Sequence, residues 1–242
     1  MCGINGLIYR NKVPNLKEIL TMNASIQHRG PDDDGILKYE NTLLGHVRLS
    51  IQDLSTNGRQ PMSVDGRYWI IFNGEIYNFK IIKEELKNYG YKFYSNTDTE
   101  VILNAYKEWG VSSFIKFNGM WSFAILDKLE KKLILSRDRY GVKPLYFSKK
   151  IDKIIFSSEI KGIKSSDTYF KFDQNKILLT DKFKERCFTT EYENLDIVQP
   201  GFYYKINIQS LEIEKIRWWN GLENLPNIPP NNKKRIEDLK SK

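Results

Sequence analysis

The sequence predicts an α+β fold built on antiparallel sheets. Two amphipathic helical patterns stand together at 79–89 and 98–109, and four β-patterned runs follow in succession at 120–127, 132–137, 144–148 and 153–158. Strands in runs beside a separate run of helices argue against alternating βαβ units and a parallel sheet. No segment repeats.

Taken in order, residues 3–9 read as a short apolar strand, which puts Cys2 at the mouth of a sheet. Pro14 precedes a helical pattern with Leu16, Ile19, Leu20 and Ile26 on one side, closed by Gly30. Residues 42–51 and 67–73 are rich in β-formers, and Asn73-Gly74 is a hairpin turn signal. Phe79, Ile82, Leu86 and Tyr89 recur at helical spacing, with Asn78 as candidate cap and Gly90 as stop. Thr97-Asp98-Thr99-Glu100 reads as a capping box. It opens a helix with Val101, Ile102, Ala105 and Trp109 facing inward, stopped by Gly110. Residues 165–195 carry no clean period, whereas 201–208 and 211–218 read as one more hairpin. The proline- and asparagine-rich stretch 224–232 reads as a linker, and 233–242 as the beginning of a helix. That ending implies that something usually follows.

At 242 residues the chain is one large domain, or one domain plus the start of another. With 40% apolar residues and five tryptophans it can bury a sizeable core. No run of 18 apolar residues occurs, so no membrane span is expected. Two cysteines, Cys2 and Cys187, make no disulfide framework and suit a reducing cytoplasm, with Cys187 read as a small buried residue. The net charge is +8, but the lysines are spread and interleaved with Glu and Asp. That pattern indicates a solvated surface rather than a nucleic-acid face. Paired His or Cys spacings for a metal are absent.

Cys2 carries the sharpest chemical signal. Removal of Met1 would place a thiol and a free α-amino group on one residue, and an N-terminal amine can act as base for its own side chain. A model α-amino group titrates at roughly 7.7–8.0 and a thiol at about 8.5, so a useful fraction of the amine is neutral near neutral pH. A lipid-modified cysteine would need a basic and then apolar segment before it, and only Met1 precedes Cys2. His28 and His46 are rival partners for a Cys–His pair. The first sits at a helix end and the second on a strand pattern, where structural hydrogen bonds are the commoner role.

Several motifs occur in one order: CGINGLIY from Cys2, HRGPDDDG at 28–35, HVRLSIQDL at 46–54, Gln60-Pro61-Met62, FNGEIYN at 72–78, TDTEVIL at 97–103, GMWSFAILD at 119–127, SRDRYGVKPLYF at 136–147 and FSSEI at 156–160. Together they resemble the N-terminal glutaminase domain of glutamine-dependent asparagine synthetase, a class II glutamine amidotransferase. The resemblance is continuous over about 2–160 and fades toward Gly201. It implies the four-layer αββα fold of the N-terminal-nucleophile hydrolases, with two packed antiparallel sheets. It also implies hydrolysis of the glutamine side-chain amide through a Cys2 thioester, giving glutamate and ammonia.

The resemblance assigns the oxyanion donors to the Asn73 side chain and the Gly74 N–H, although the dipeptide alone reads as a tight turn. It puts the glutamine α-carboxylate on Arg48 and the α-ammonium on Asp98. Main chain of Leu49, Ser50, Ile51, Gln52 and Glu75 would line the pocket. By themselves, Arg48 is also a surface arginine on a strand and Asp98 a helix-terminal carboxylate. Arg137-Asp138-Arg139, with Gly141 and Lys143-Pro144, suggests an anion site by composition. The resemblance makes that segment a turn with internal ion pairs below the pocket.

Two departures stand out. The Ser-Gly-Gly-x-Asp-Ser phosphate loop of the synthetase domain does not occur, and Arg59 stands where the family has a small residue. The expected layout is therefore a glutaminase domain over 2–219, with 220–242 as linker and start of a synthetase domain. The glutaminase step would need no cofactor. ATP and Mg would enter only through that other domain, in a separate or missing ATP-dependent synthetase partner. The rival readings are a non-catalytic glutamine-sensing or partner-binding module, and a hydrolase of another amide.

Overall fold

The computed structural model describes residues 1–166, 170–174 and 190–221. The predicted linker and terminal helix, and Cys187, lie outside the described residues.

Two antiparallel sheets face each other. The first runs β2-β3-β1-β8-β7-β9, with β1 Gly3–Tyr9, β2 Asp33–Tyr39, β3 Thr42–Arg48, β7 Tyr146–Lys149, β8 Lys153–Ser157 and β9 Leu195–Ile197. The second runs β11-β10-β6-β5-β4, with β4 Tyr68–Ile76, β5 Gly119–Asp127, β6 Lys132–Arg137, β10 Phe202–Asn207 and β11 Ile213–Arg217. Helices α1 (Leu16–Ser25) and α4 (Ile160–Ser166) cover the outer face of the first sheet. Helices α2 (Phe79–Asn88) and α3 (Asp98–Trp109) lie on the outer face of the second.

The two-residue strand period produces this four-layer stack, because successive side chains point to opposite faces. Ile4 and Ile8, Leu44, Ile154 and Phe156 meet Ile71, Ala124, Leu126, Leu133 and Leu135 between the sheets. Their neighbours Leu7, Leu43 and Ile155 point the other way, onto Ile19, Met22 and Ile163 of the helices. Ile70, Phe72, Phe123 and Ile134 likewise turn outward onto Ile82, Leu86, Val101 and Ile102. Strands buried on both faces read as continuous apolar runs, which is why β1 and β3 were legible as strands.

Several local readings change. Asn73-Gly74 is not a hairpin turn: both lie inside β4, opposite Ser122 and Trp121 of β5. The nine-residue pairing with β5 overrides the turn preference of the dipeptide. In α1, Ile19 and Ile26 are buried but Leu16 and Leu20 are half exposed, and Met22 and Asn23 complete the buried stripe. Pro14 precedes this helix as expected, and Asn15 caps it reciprocally with Glu18. The stretch from 42 leaves the sheet after Arg48 rather than reaching 51.

Asn78 begins α2 without a side-chain cap; its amide bridges Lys116 O and Asn118 N instead. Thr97 Oγ1 accepts from Glu100 N at 3.3 Å, yet the Glu100 carboxylate takes Tyr94 N and Ser95 N. Only half of the predicted capping box forms. Trp109 is half-buried, whereas α3 is buried all round from Asp98 to Tyr106. Strands β2 and β9 and helix α4 carried no clear sequence signal.

Candidate active site

Cys2 immediately precedes β1, and β1 lies between β3 and β8. A cavity of about 260 Å³ opens where its thiol meets the edge of the second sheet. Cys2, Arg48, Leu49, Ile51, Gln52, Asn73, Gly74, Glu75 and Asp98 all line it. Of the predicted set, Ser50 does not: its N–H is turned to Asp32 Oδ2 at 2.7 Å.

The Cys2 sulfur lies 3.4 Å from the Leu49 amide, which donates to it. Burial pushes the thiol up from its ordinary value; the Leu49 amide, the chain's amino group and Arg48 offset this in part. Arg29 Nε donates to the Cys2 carbonyl at 2.9 Å and is itself held by Glu159. This fixes the main chain from which the sulfur projects.

Asn73 and Gly74 sit on β4, an edge strand. Alternation puts the Asn73 side chain on the face of Ile71, toward the sheet of Cys2. Asn73 is 1% exposed, and its Nδ2 has no hydrogen-bond partner among the described residues. A buried donor without an acceptor is rare in a folded protein and calls for an explanation.

The Gly74 amide is also open. Ile70 N donates to Met62 O, Phe72 N to Gln60 Oε1 at 2.6 Å and Ile76 N to Asp98 Oδ2 at 2.9 Å. The even-numbered amides of β4 therefore point away from β5. Trp121, opposite Gly74, turns its own N–H and C=O to Asp138 on its other side. Gly74 N–H thus points off the sheet edge, in the gap between amides that are filled by Gln60 and Asp98. A Cβ at Gly74 would collide with Met120 O and come within 2.8 Å of Trp121 Cα, so only glycine lets β4 and β5 close here.

Arg48, at the end of β3, is 7% exposed. Its guanidinium donates to Ser55 O at 3.0 Å and to Asp53 O. A guanidinium carries five N–H donors, so further donors remain for an anion. Gly58 makes the room: a Cβ there would collide with Arg48 Nη2 and lie 3.0 Å from Cζ. Its neighbour Arg59, the family departure, points away to Asp33 Oδ2 at 2.7 Å and leaves the cavity untouched. Gly58→Ala is expected to displace the guanidinium and raise the KM for glutamine about tenfold or more, with a smaller change in kcat. Steady-state kinetics check this, and an unchanged KM would detach Arg48 from substrate binding.

Asp98 opens α3 and is 5% exposed. Burial pushes its carboxyl up to about 6, against the lowering bond from Ile76 N and with a further push from Glu75. Gln52 spans the cavity wall, its Oε1 accepting from Asp98 N at 3.3 Å. A cation beside Asp98 and an anion beside Arg48 would both be welcomed in the cavity that also holds the Cys2 sulfur.

Neither histidine lines the cavity. His28 is an exposed partner of Glu159 at 2.9 Å. His46 is fully buried, its Nε2 on Phe72 O at 3.1 Å. The 137–143 segment does form a turn: Arg137 donates to the carbonyls of Lys143 and Val198, and Asp138 accepts from the amides of Tyr140, Val142 and Lys143. Lys143 lies on the cavity wall, not below it. Its ammonium is 3.0 Å from Met1 Sδ, and burial, with Arg29 nearby, lowers its pKa. Composition had singled out this segment for an anion, and Lys143 is the member that reaches the site. Gln60, Thr97, Thr99 and Met120 also line the cavity; each lies in one of the quoted motifs, though none is named there as a site residue.

The family model described as a glutamine amidotransferase domain matches residues 1–219. A putative asparagine synthetase [glutamine-hydrolyzing] 2 of Methanocaldococcus jannaschii is 45% identical over 182 residues, 67% of this chain and 35% of that protein. Asparagine synthetase [glutamine-hydrolyzing] 1 of Bacillus subtilis is 37% identical over 215 residues, 85% of this chain and 33% of that protein. The chain thus spans about a third of the length of these relatives. Among solved structures, glutamine phosphoribosylpyrophosphate amidotransferase of B. subtilis superposes with a TM-score of 0.69 at 19% identity, covering 90% of this chain and 49% of that one. At that identity the likeness speaks for the fold, the αββα arrangement of the N-terminal-nucleophile hydrolases. With the family model spanning nearly the whole described chain, the protein belongs to the glutamine amidotransferase domain family.

Proposed function

We propose that this chain hydrolyses the side-chain amide of L-glutamine to glutamate and ammonia through a thioester on Cys2. One observation carries the reading: Asn73 Nδ2 is a buried donor with no partner among the described residues, and Asn73 and Gly74, whose amide the strand pattern turns off the sheet edge, both line the cavity that holds the Cys2 sulfur. Preorganised donors of this kind stabilise the oxyanion of a tetrahedral intermediate.

The proposed steps follow from the residues. Removal of Met1 frees the Cys2 α-amino group and vacates the part of the cavity that Met1 lines. The amine takes the thiol proton as sulfur attacks the amide carbon, and the amide oxygen becomes an anion facing Asn73 and Gly74. Collapse expels ammonia, which leaves with the proton returned by the amine. Water then cleaves the thioester. Arg48 takes the α-carboxylate and Asp98 the α-ammonium. No cofactor enters these steps. The relatives' names describe asparagine synthetases that hydrolyse glutamine, and to this we add an ATP- and Mg-dependent synthetase as the receiver of the ammonia, with aspartate as acceptor. Both belong to the proposal.

Glutamate release from L-glutamine by the purified chain, with the N-terminal mass read on the same sample, tests the reading. Release together with loss of Met1, blocked by a thiol-trapping glutamine analogue, is the expected result. Loss of Met1 with neither release nor binding of glutamine would overturn it.

The Asp98 carboxyl supplies a further check. It accepts an ammonium only when ionised, and it titrates near 6 in the free protein. Glutamine affinity should therefore fall as pH falls through that value. In Cys2→Ala, which removes thiol ionisation from the measurement, the Kd is expected to be about tenfold weaker near pH 5 than near pH 7. A flat calorimetric profile would take the ammonium away from Asp98.

A further inference from the structure

His46 is an unusual residue to find where it is. It is 0% exposed, in the middle sheet layers, on a strand buried on both faces. In the β1–β3 register it stands opposite Ile4, two residues beyond the nucleophile. Its side chain leaves that sheet altogether and reaches the other one, where Nε2 lies 3.1 Å from Phe72 O. A carbonyl oxygen only accepts, so Nε2 carries the proton. Nδ1 is then a bare acceptor, and it has no partner among the described residues. A buried side chain that makes one bond and leaves another polar atom unsatisfied costs stability that an apolar residue of similar size would not. The bond to Phe72 is what the residue supplies.

Phe72 immediately precedes Asn73 and Gly74. Its N–H is taken by Gln60 Oε1 at 2.6 Å, and Gln60 is in turn anchored to Thr99 Oγ1 at 3.2 Å. Both outward polar groups of Phe72 are therefore held by buried side chains. Two residues past Gly74, Ile76 N is held by Asp98. An edge strand has no neighbouring strand to fix it on that side. Here side chains replace the missing neighbour at 72 and 76 and leave the gap at Gly74. Of these clamps, the His46 bond is the one that ties β4 directly to the sheet of Cys2.

We infer that His46 is a positioning residue for the oxyanion donors: through the Phe72 carbonyl it sets the distance between the strand bearing Asn73 and Gly74 and the strand pair bearing Cys2. This rests on the glutaminase reading and adds a role to it. His46 acts as a neutral donor and moves no proton. Burial lowers its pKa to about 4, so it stays uncharged through the working range.

The test compares His46→Leu, His46→Gln and His46→Asn with the wild type. A control, Ile155→Ala, loosens the layer between the first sheet and α1, away from the cavity. Gln places an amide N–H about where Nε2 lies, whereas Asn reaches only the Nδ1 position. His46→Leu is expected to lose about tenfold or more in kcat, with KM changed by less than about twofold and the pH profile unmoved, because small misplacement of reacting groups is costly. Affinity for glutamate γ-semialdehyde, whose thiohemiacetal oxygen occupies the oxyanion position, should fall by the same factor. Glutamate affinity should hold. His46→Gln should recover both and His46→Asn neither.

Equal behaviour of Gln and Asn, or losses no larger than in the Ile155→Ala control, would overturn the inference. If His46→Leu does not fold, the Gln and Asn pair decides it alone. A wild type that binds the semialdehyde but releases no glutamate would count against turnover, while the semialdehyde affinities of the variants would still decide the role of His46.

Discussion

The Cys2→Ala protein is expected to bind glutamine and release no glutamate. Alanine removes the sulfur and leaves Arg48 and Asp98, the side chains assigned to the ligand's charged groups, in the cavity lining. No hydroxyl of the lining is free of other hydrogen bonds. The two threonine hydroxyls in the lining are engaged, Thr97 by the Glu100 amide and Thr99 by Gln60. Loss of a covalent nucleophile from an assembled site costs on the order of 10⁴-fold or more in turnover. The fold should survive, because the thiol's hydrogen bonds run only to the Leu49 main chain. Calorimetry for binding and a glutamate assay for turnover, on one preparation, separate the two effects. Turnover at the wild-type rate would end the Cys2 mechanism. Loss of binding along with turnover would mean that the thiol shapes the cavity rather than reacts in it.

Asn73→Ala should lower kcat by about 10²–10³-fold with a small change in KM. The Nδ2 group makes no hydrogen bond among the described residues, so its removal breaks none there. What it loses is the donor for charge that develops only as the amide carbon becomes tetrahedral. Ground-state binding is hardly touched, and the effect falls on kcat. Asn73→Asp should be worse than alanine, because a carboxylate would face the oxyanion. A kcat within about twofold of wild type in Asn73→Ala would remove Asn73 from the oxyanion site and leave the Gly74 amide to act alone.

Asn73-Gly74 shows what one sequence can and cannot disclose. In isolation the dipeptide is the strongest short hairpin signal available. In the protein it is the middle of an edge strand, because nine residues of pairing with β5 outweigh a local preference. Its place in an ordered series of motifs was legible; its conformation was not. Lys143 teaches the converse. Its segment was noticed for charge and set aside as structural, and the fold then brings one side chain of it to the cavity wall.

Helix α1 was found from its period, yet Leu16 and Leu20 fell on the solvent side. An apolar count locates a helix better than it orients one. Strands β2 and β9 and helix α4 escaped because they are short or half-exposed, and gain their stability from neighbours distant in sequence.

The sequence by itself determined the class of the fold, the period of its strands, the candidate nucleophile and the family, because these depend on local pattern and on the order of motifs. The tertiary structure decided which polar groups go unfilled. The open amide at Gly74, the orphan Nδ2 of Asn73, the raised Asp98 carboxyl and the cross-sheet bond of His46 depend on burial and on partners far away in the chain. Desolvation and hydrogen-bond satisfaction are properties of an assembled interior, and no local stretch of sequence carries them.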